Sequence, residues 1–144
     1  MKNHLLVLIC FCFLAACQFT RSEQSQREAL ESRVLKVHDE AMAEMDHVFI
    51  LRQNLKKMRD TGNTRPADTA TQQLVEQQIS ALQKADDAMM QWMHWYRKPE
   101  QGQAHDSTMQ YLELELKKIE QVKITMDSTL KAAQLIYQQH EPKK

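Results

Sequence analysis

TATQQLVEQQISALQKADDAMMQWMHWYRK, residues 69–98, contains neither glycine nor proline and is rich in residues that lose little on entering a helix. At 100° per residue it gathers Leu74, Val75, Ile79, Leu82, Ala85, Met89, Trp92, Met93 and Tyr96 on one face, which predicts an amphipathic helix over the whole stretch. Outward from it, Gly62 with Pro66 stand before and Pro99 with Gly102 after, the only such punctuation outside the C-terminal tail. Beyond these breaks lie two segments of the same kind, Ser25–Asp60 and Ser107–His140. The first aligns Leu30, Val34, Val37, Ala41, Met45, Val48 and Leu55, with Met42 and Phe49 at the edge. The other aligns Leu112, Leu116, Ile119, Val122, Met126, Leu130, Ala133 and Tyr137. Each segment opens on a capping-box pattern, Ser25 to Glu28, Thr69 to Gln72 and Ser107 to Gln110. Short connections force antiparallel neighbours. The expected fold is therefore all-α, an up-down-up three-helix bundle of coiled-coil character over residues 25–140, with a frayed tail at 141–144.

The first 16 residues follow another logic. Lys2 precedes an apolar run from Leu5 to Phe13, which ends in Leu14-Ala15-Ala16-Cys17. The run is far short of the roughly 20 residues that cross a bilayer, so it reads as the core of a secretory signal. Leu14-Ala15-Ala16-Cys17 resembles the lipobox of bacterial lipoproteins. The resemblance implies removal of residues 1–16, a diacylglyceryl thioether on Cys17 and a membrane anchor of two or three acyl chains, with residues 17–24 as a short tether. Gln18, which is not Asp, favours the outer membrane over the inner by the sorting rule of enteric bacteria.

Composition then closes off several kinds of function. Lys plus Arg and Asp plus Glu both count 19; loss of the leader removes only Lys2, leaving 18 against 19 and a net charge of −1. Without a basic excess or a basic cluster there is no electrostatic footprint for nucleic acid. The three cysteines are Cys10, Cys12 and Cys17, so a lipidated mature chain holds no free thiol for a disulfide, a nucleophile or a thiolate metal site. There is no Cys-x-x-Cys-His, no His-Glu-x-x-His, no glycine-rich phosphate loop and no Gly-x-Ser-x-Gly. These absences point away from an enzyme.

Polar residues on the inner faces are the remaining chemistry. Folding the chain back at its two breaks sets residue 38 opposite 88 and residue 89 opposite 115, so that His38, Asp86 and Glu115 are expected at one height, within about a turn of Met42, Met89, Met90 and Met93. Buried charges need partners. One reading is a His38–Asp86 pair beside Glu115 that fixes helix register. The other is a metal site, with imidazole and thioethers suited to copper, or imidazole and carboxylates suited to another divalent ion. Lys123 and Arg52 read as stems lying along the core with their charges at its edge, Lys123 within reach of Asp46. His47 and His94 point away from the apolar stripes. Trp95 also falls off the inner stripe and is a candidate contact with membrane headgroups or a partner.

His38-Asp39-Glu40-Ala41-Met42 and Ala85-Asp86-Asp87-Ala88-Met89-Met90-Gln91-Trp92-Met93 resemble a group of small lipoproteins of Bacteroidota, some labelled viral A-type inclusion protein. The resemblance covers the first two helices and, loosely, Lys118 to Ser128 of the third. It implies no activity and carries no catalytic residue. The expectation is a non-enzymatic, lipid-anchored envelope protein whose helices serve interaction or structure, with envelope proteins or a second copy as partners. The alternative is a periplasmic metal-handling protein.

Overall fold

Residues sealed from solvent recur every seven positions. Val34, Ala41, Val48 and Leu55 form one such series, Val75, Leu82 and Met89 a second, and Leu112, Ile119, Met126 and Ala133 a third, each residue at most 1% exposed. A seven-residue repeat on a helix of 3.6 residues per turn keeps facing its neighbour only if the helices coil gently round one another. The computed structural model describes the backbone of residues 2–60, 69–100 and 102–140 and side chains from residue 21 onward. Its elements are α1 (Lys2–Met42), α2 (Met45–Asp60), α3 (Thr69–Trp95) and α4 (His105–His140). The fold is all-α, and α1 and α2 together make the first of three rods. The breaks expected at Gly62 and Pro66, the tail 141–144 and the side chain of Cys17 lie outside the described residues. Among the described residues, no helix is long and apolar enough to cross a membrane.

The division of the first rod was not expected, since Ser25–Asp60 contains no glycine or proline. Its cause lies in the seam. Counting in sevens from Val37 to Leu51 and Met58 places Glu44 at a position that should be apolar. There the backbone tightens: the Glu44 amide donates to the Ala41 carbonyl at 3.1 Å, a three-residue contact, before Val48 resumes the helical pattern by donating to the Glu44 carbonyl at 3.0 Å. Glu44 is left half-buried, its carboxylate 2.9 Å from His47 Nδ1. Burying an unpaired carboxylate is costly, and breaking the rod at this point avoids it.

Two of the three expected helix starts move. α1 continues unbroken through residues 17–24, so the stretch expected as a tether is helical and Ser25 begins nothing. α4 begins at His105 rather than Ser107; the Ala104 carbonyl accepts from the Thr108 amide at 3.1 Å and from the hydroxyls of Ser107 and Thr108 at 3.0 Å each. Thr69 does open α3. That helix stops at Trp95, three residues short of Lys98, and its end is held by side chains. Arg97 Nη1 donates to the carbonyls of His94 and Tyr96 at 2.7 and 2.8 Å, while the Tyr111 hydroxyl accepts from the Arg97 amide and donates to its carbonyl, both at 2.9 Å.

α4 packs along α1, α2 and α3, and α2 packs along α3. The reversal between α3 and α4 turns on Gly102, whose φ of 89° lies in the left-handed region. No atom lies within 4 Å of where a Cβ would stand, so a side chain there meets no obstacle but keeps the backbone penalty. Gly102→Ala is expected to lower stability by about 1 kcal/mol, read as a shift in the urea midpoint at unchanged slope.

Candidate functional site

Ion pairs across the helices set the register, and it differs from the one expected. Arg59 Nη1 donates to Glu76 at 2.9 Å, whereas folding at the first break would have placed residue 67 opposite it. α3 therefore overhangs the end of α2 by about two turns. Further along the rod, His38 lies against Trp92, ring centroids 5.4 Å apart, where residue 88 was expected. The displacement is nine residues at Arg59 and four at His38.

With that shift the expected constellation takes three separate sets of partners. Asp86 accepts from Arg52 Nη1 at 2.9 Å, and the same nitrogen donates to Gln83 Oε1 at 2.7 Å. Glu115, 5% exposed on the seam of α4, accepts from Lys118 Nζ at 2.7 Å. His38 Nδ1 is 2.9 Å from the carboxylate of its neighbour Asp39. The thioethers are dispersed as well: Met89 is sealed in the core and Met93 packs against it, while Met42 and Met90 are exposed. Among the described residues no group of three or more His, Cys, Asp or Glu is placed to share an ion. The expected convergence of His38, Asp86 and Glu115 is thus corrected: the register that sets His38 beside Trp92 gives Asp86 to Arg52, and the three charges bond three different partners. Lys123 bonds Asp127 at 2.7 Å instead of Asp46, and its pKa is held above the usual lysine range chiefly by that hydrogen bond.

Arg52 is the core charge whose pairing was missed. It is 8% exposed, lies 5.9 Å from the Phe49 ring centroid and leaves its Nε without a partner. Its place on the inner side of the first rod was legible; its mate depended on the register. Asp86→Ala strands a guanidinium that cannot lose its proton and is expected to cost about 3 kcal/mol, whereas adding Arg52→Met should recover most of that loss. Urea denaturation of the single and double variants measures the difference, and a double variant no better than the single would contradict it.

A ladder of rings stands where α1, α3 and α4 meet. His38 packs on Trp92, Trp92 stacks on Tyr96 at 4.8 Å, and Tyr96 on Tyr111 at 6.4 Å. Two polar atoms inside it, Trp92 Nε1 and the Tyr96 hydroxyl, are buried without a hydrogen-bond partner. Burial first, then the neighbouring Glu31, Tyr111 and Glu115, pushes the Tyr96 phenol up to about 12. A raised phenol means that the neutral form is favoured in the folded chain. The stabilisation it reflects is complete below the ordinary value of 10.0 and is lost as pH rises from there through about 12. Ultraviolet titration should show one of the three tyrosines ionising near the top of that range. Tyr96→Phe should abolish that step and, by removing an unpartnered hydroxyl, raise stability at neutral pH by about 1 kcal/mol.

The faces around this ladder are open. Trp95, 68% exposed, is edge-on to His94 at 4.9 Å. With Trp92, Ala88 and Gln91 it forms the α3 wall of a groove of about 550 Å³, whose α4 wall includes Glu115, Lys117, Lys118 and Val122. Trp95 itself is left largely open to solvent, and Gln101 lies outside the described residues. Compared with protein-family models, with curated proteins and with solved structures, the chain matches none.

Proposed function

We propose that this chain is a non-enzymatic lipoprotein of the cell envelope, anchored at Cys17 and presenting its three-helix rod as an interaction or structural module. The observation that carries the anchor is Leu14-Ala15-Ala16-Cys17 closing an apolar run of signal length behind Lys2. Gln18 favours the outer membrane. The rod supports the rest of the reading through what its charged groups are doing. Among the described residues, Arg52, Asp86, Glu115 and Lys123 are each engaged with a neighbour inside the chain. A catalytic pair needs groups free to face a substrate, and the pairing of these charges with neighbours favours a structural role.

The anchor is tested on membranes of cells that make the full chain. Mass analysis of the mature N-terminal peptide should find residue 17 first and carrying acyl chains. Cys17→Ser should leave an uncleaved chain that no longer partitions into detergent as a lipidated protein does. An unmodified Cys17 in the wild-type chain ends this reading.

A further inference from the structure

Two faces on either side of the α3 end carry opposite charge. The outer face of α1 presents four carboxylates, Glu28, Glu31, Asp39 and Glu40, against the ammonium groups of Lys36 and Lys98, with Leu35 exposed among them. The α3–α4 groove presents Lys117 and Lys118 beside Trp95, and its one acid, Glu115, is buried and already bonded to Lys118.

The two faces also stand at the same height. His38 packs on Trp92 at 5.4 Å across the antiparallel pair α1 and α3, so three residues further Trp95 is level with Leu35. Arg27 bonds His105 and Arg33 bonds Glu120, each at 3.1 Å, across the parallel pair α1 and α4, which sets Lys117 level with the stretch from residue 30 to Asp39, within the acidic face. Two copies standing parallel, with no shift along the axis, therefore bring an apolar residue to Trp95 and acids to Lys117.

We propose that copies of this chain pack side by side, the acidic outer face of α1 in one copy seated in the α3–α4 groove of the next. The surfaces joined are different ones, so the contact is heterologous and continues from copy to copy, as a ring or an array. Leu35 covers the exposed indole of Trp95, and the carboxylates between Glu28 and Asp39 border Lys117. The parallel stance is the one that attachment of every copy at Cys17 imposes, so the inference takes its orientation from the function proposed above, while the contact rests on the two faces alone.

The test uses two tagged forms of the full chain made in the same cells, one carrying Ser32→Cys and the other Gln121→Cys, both exposed positions on the two faces. A short bifunctional thiol reagent added to isolated membranes should join them. It should not join Gln121→Cys to Gln53→Cys, an exposed position on α2. Lys117→Glu should lower the cross-linked yield about three- to fivefold, and Glu28→Lys or Asp39→Lys in the other form should restore it. Yield equal to the Gln53 control, a loss that neither Glu28→Lys nor Asp39→Lys reverses, or cross-links only to other envelope proteins would each overturn the proposal. If residue 17 proves unmodified while the copies still cross-link, the contact stands and only the anchor is lost.

Discussion

The apolar seam of α4 is the surface on which the other helices close. Leu112, Ile119, Met126 and Ala133 are all but sealed from solvent, and α4 is packed along α1, α2 and α3 alike. α1 and α3, by contrast, meet through His38 on Trp92 and Glu31 with Lys98. Each large side chain on such a seam contributes roughly 1.5 to 3 kcal/mol by leaving water, and the contributions depend on all three rods being present together. Most of the stability of a helix in a protein comes from packing its apolar face. The bundle is consequently one cooperative object, whose outer faces are fixed by how its inner faces mesh.

Charged residues on the inner faces of the rods show how strictly such seams are enforced. Glu44 interrupts the first rod, which breaks and turns the carboxylate partly out toward His47. Glu115 stays in and is neutralised by a lysine reaching over from the next turn of the same helix. Arg52 stays in as well and takes a carboxylate and an amide from α3. These are three answers to one problem, that a charge removed from water needs a partner or a way out. None of them leaves a polar group directed at a ligand, which is why the same residues read better as determinants of register than as a reaction centre.

The chemistry that remains is on the outside. Trp95, Leu35 and the lysines of α4 take little part in holding the bundle together, yet their heights are set by the pairs that do. The His38–Trp92 contact and the bonds of Arg27 to His105 and Arg33 to Glu120 fix how high the acidic face of α1 stands beside the basic aromatic groove. Exposed ion pairs contribute little to stability, but they decide which face of one rod can lie against another.

How much of this was legible in the sequence follows from the range of the interactions involved. Seven-residue spacing, helix-forming composition and two glycine–proline breaks determined three amphipathic rods, because periodicity and backbone cost act over a few residues at a time. They also determined that Arg52, Glu115 and Lys123 lie inward and that His47, His94 and Trp95 lie outward. Only the tertiary structure decided who meets whom. The overhang of α3 beyond α2 moved Arg59 nine residues along its neighbour, sent Asp86 to Arg52 and set His38 beside Trp92. That sliding is chosen by the fit of whole seams against one another, and two seams with similar residues every seventh position offer several nearly equivalent registers to a reading that sees one helix at a time.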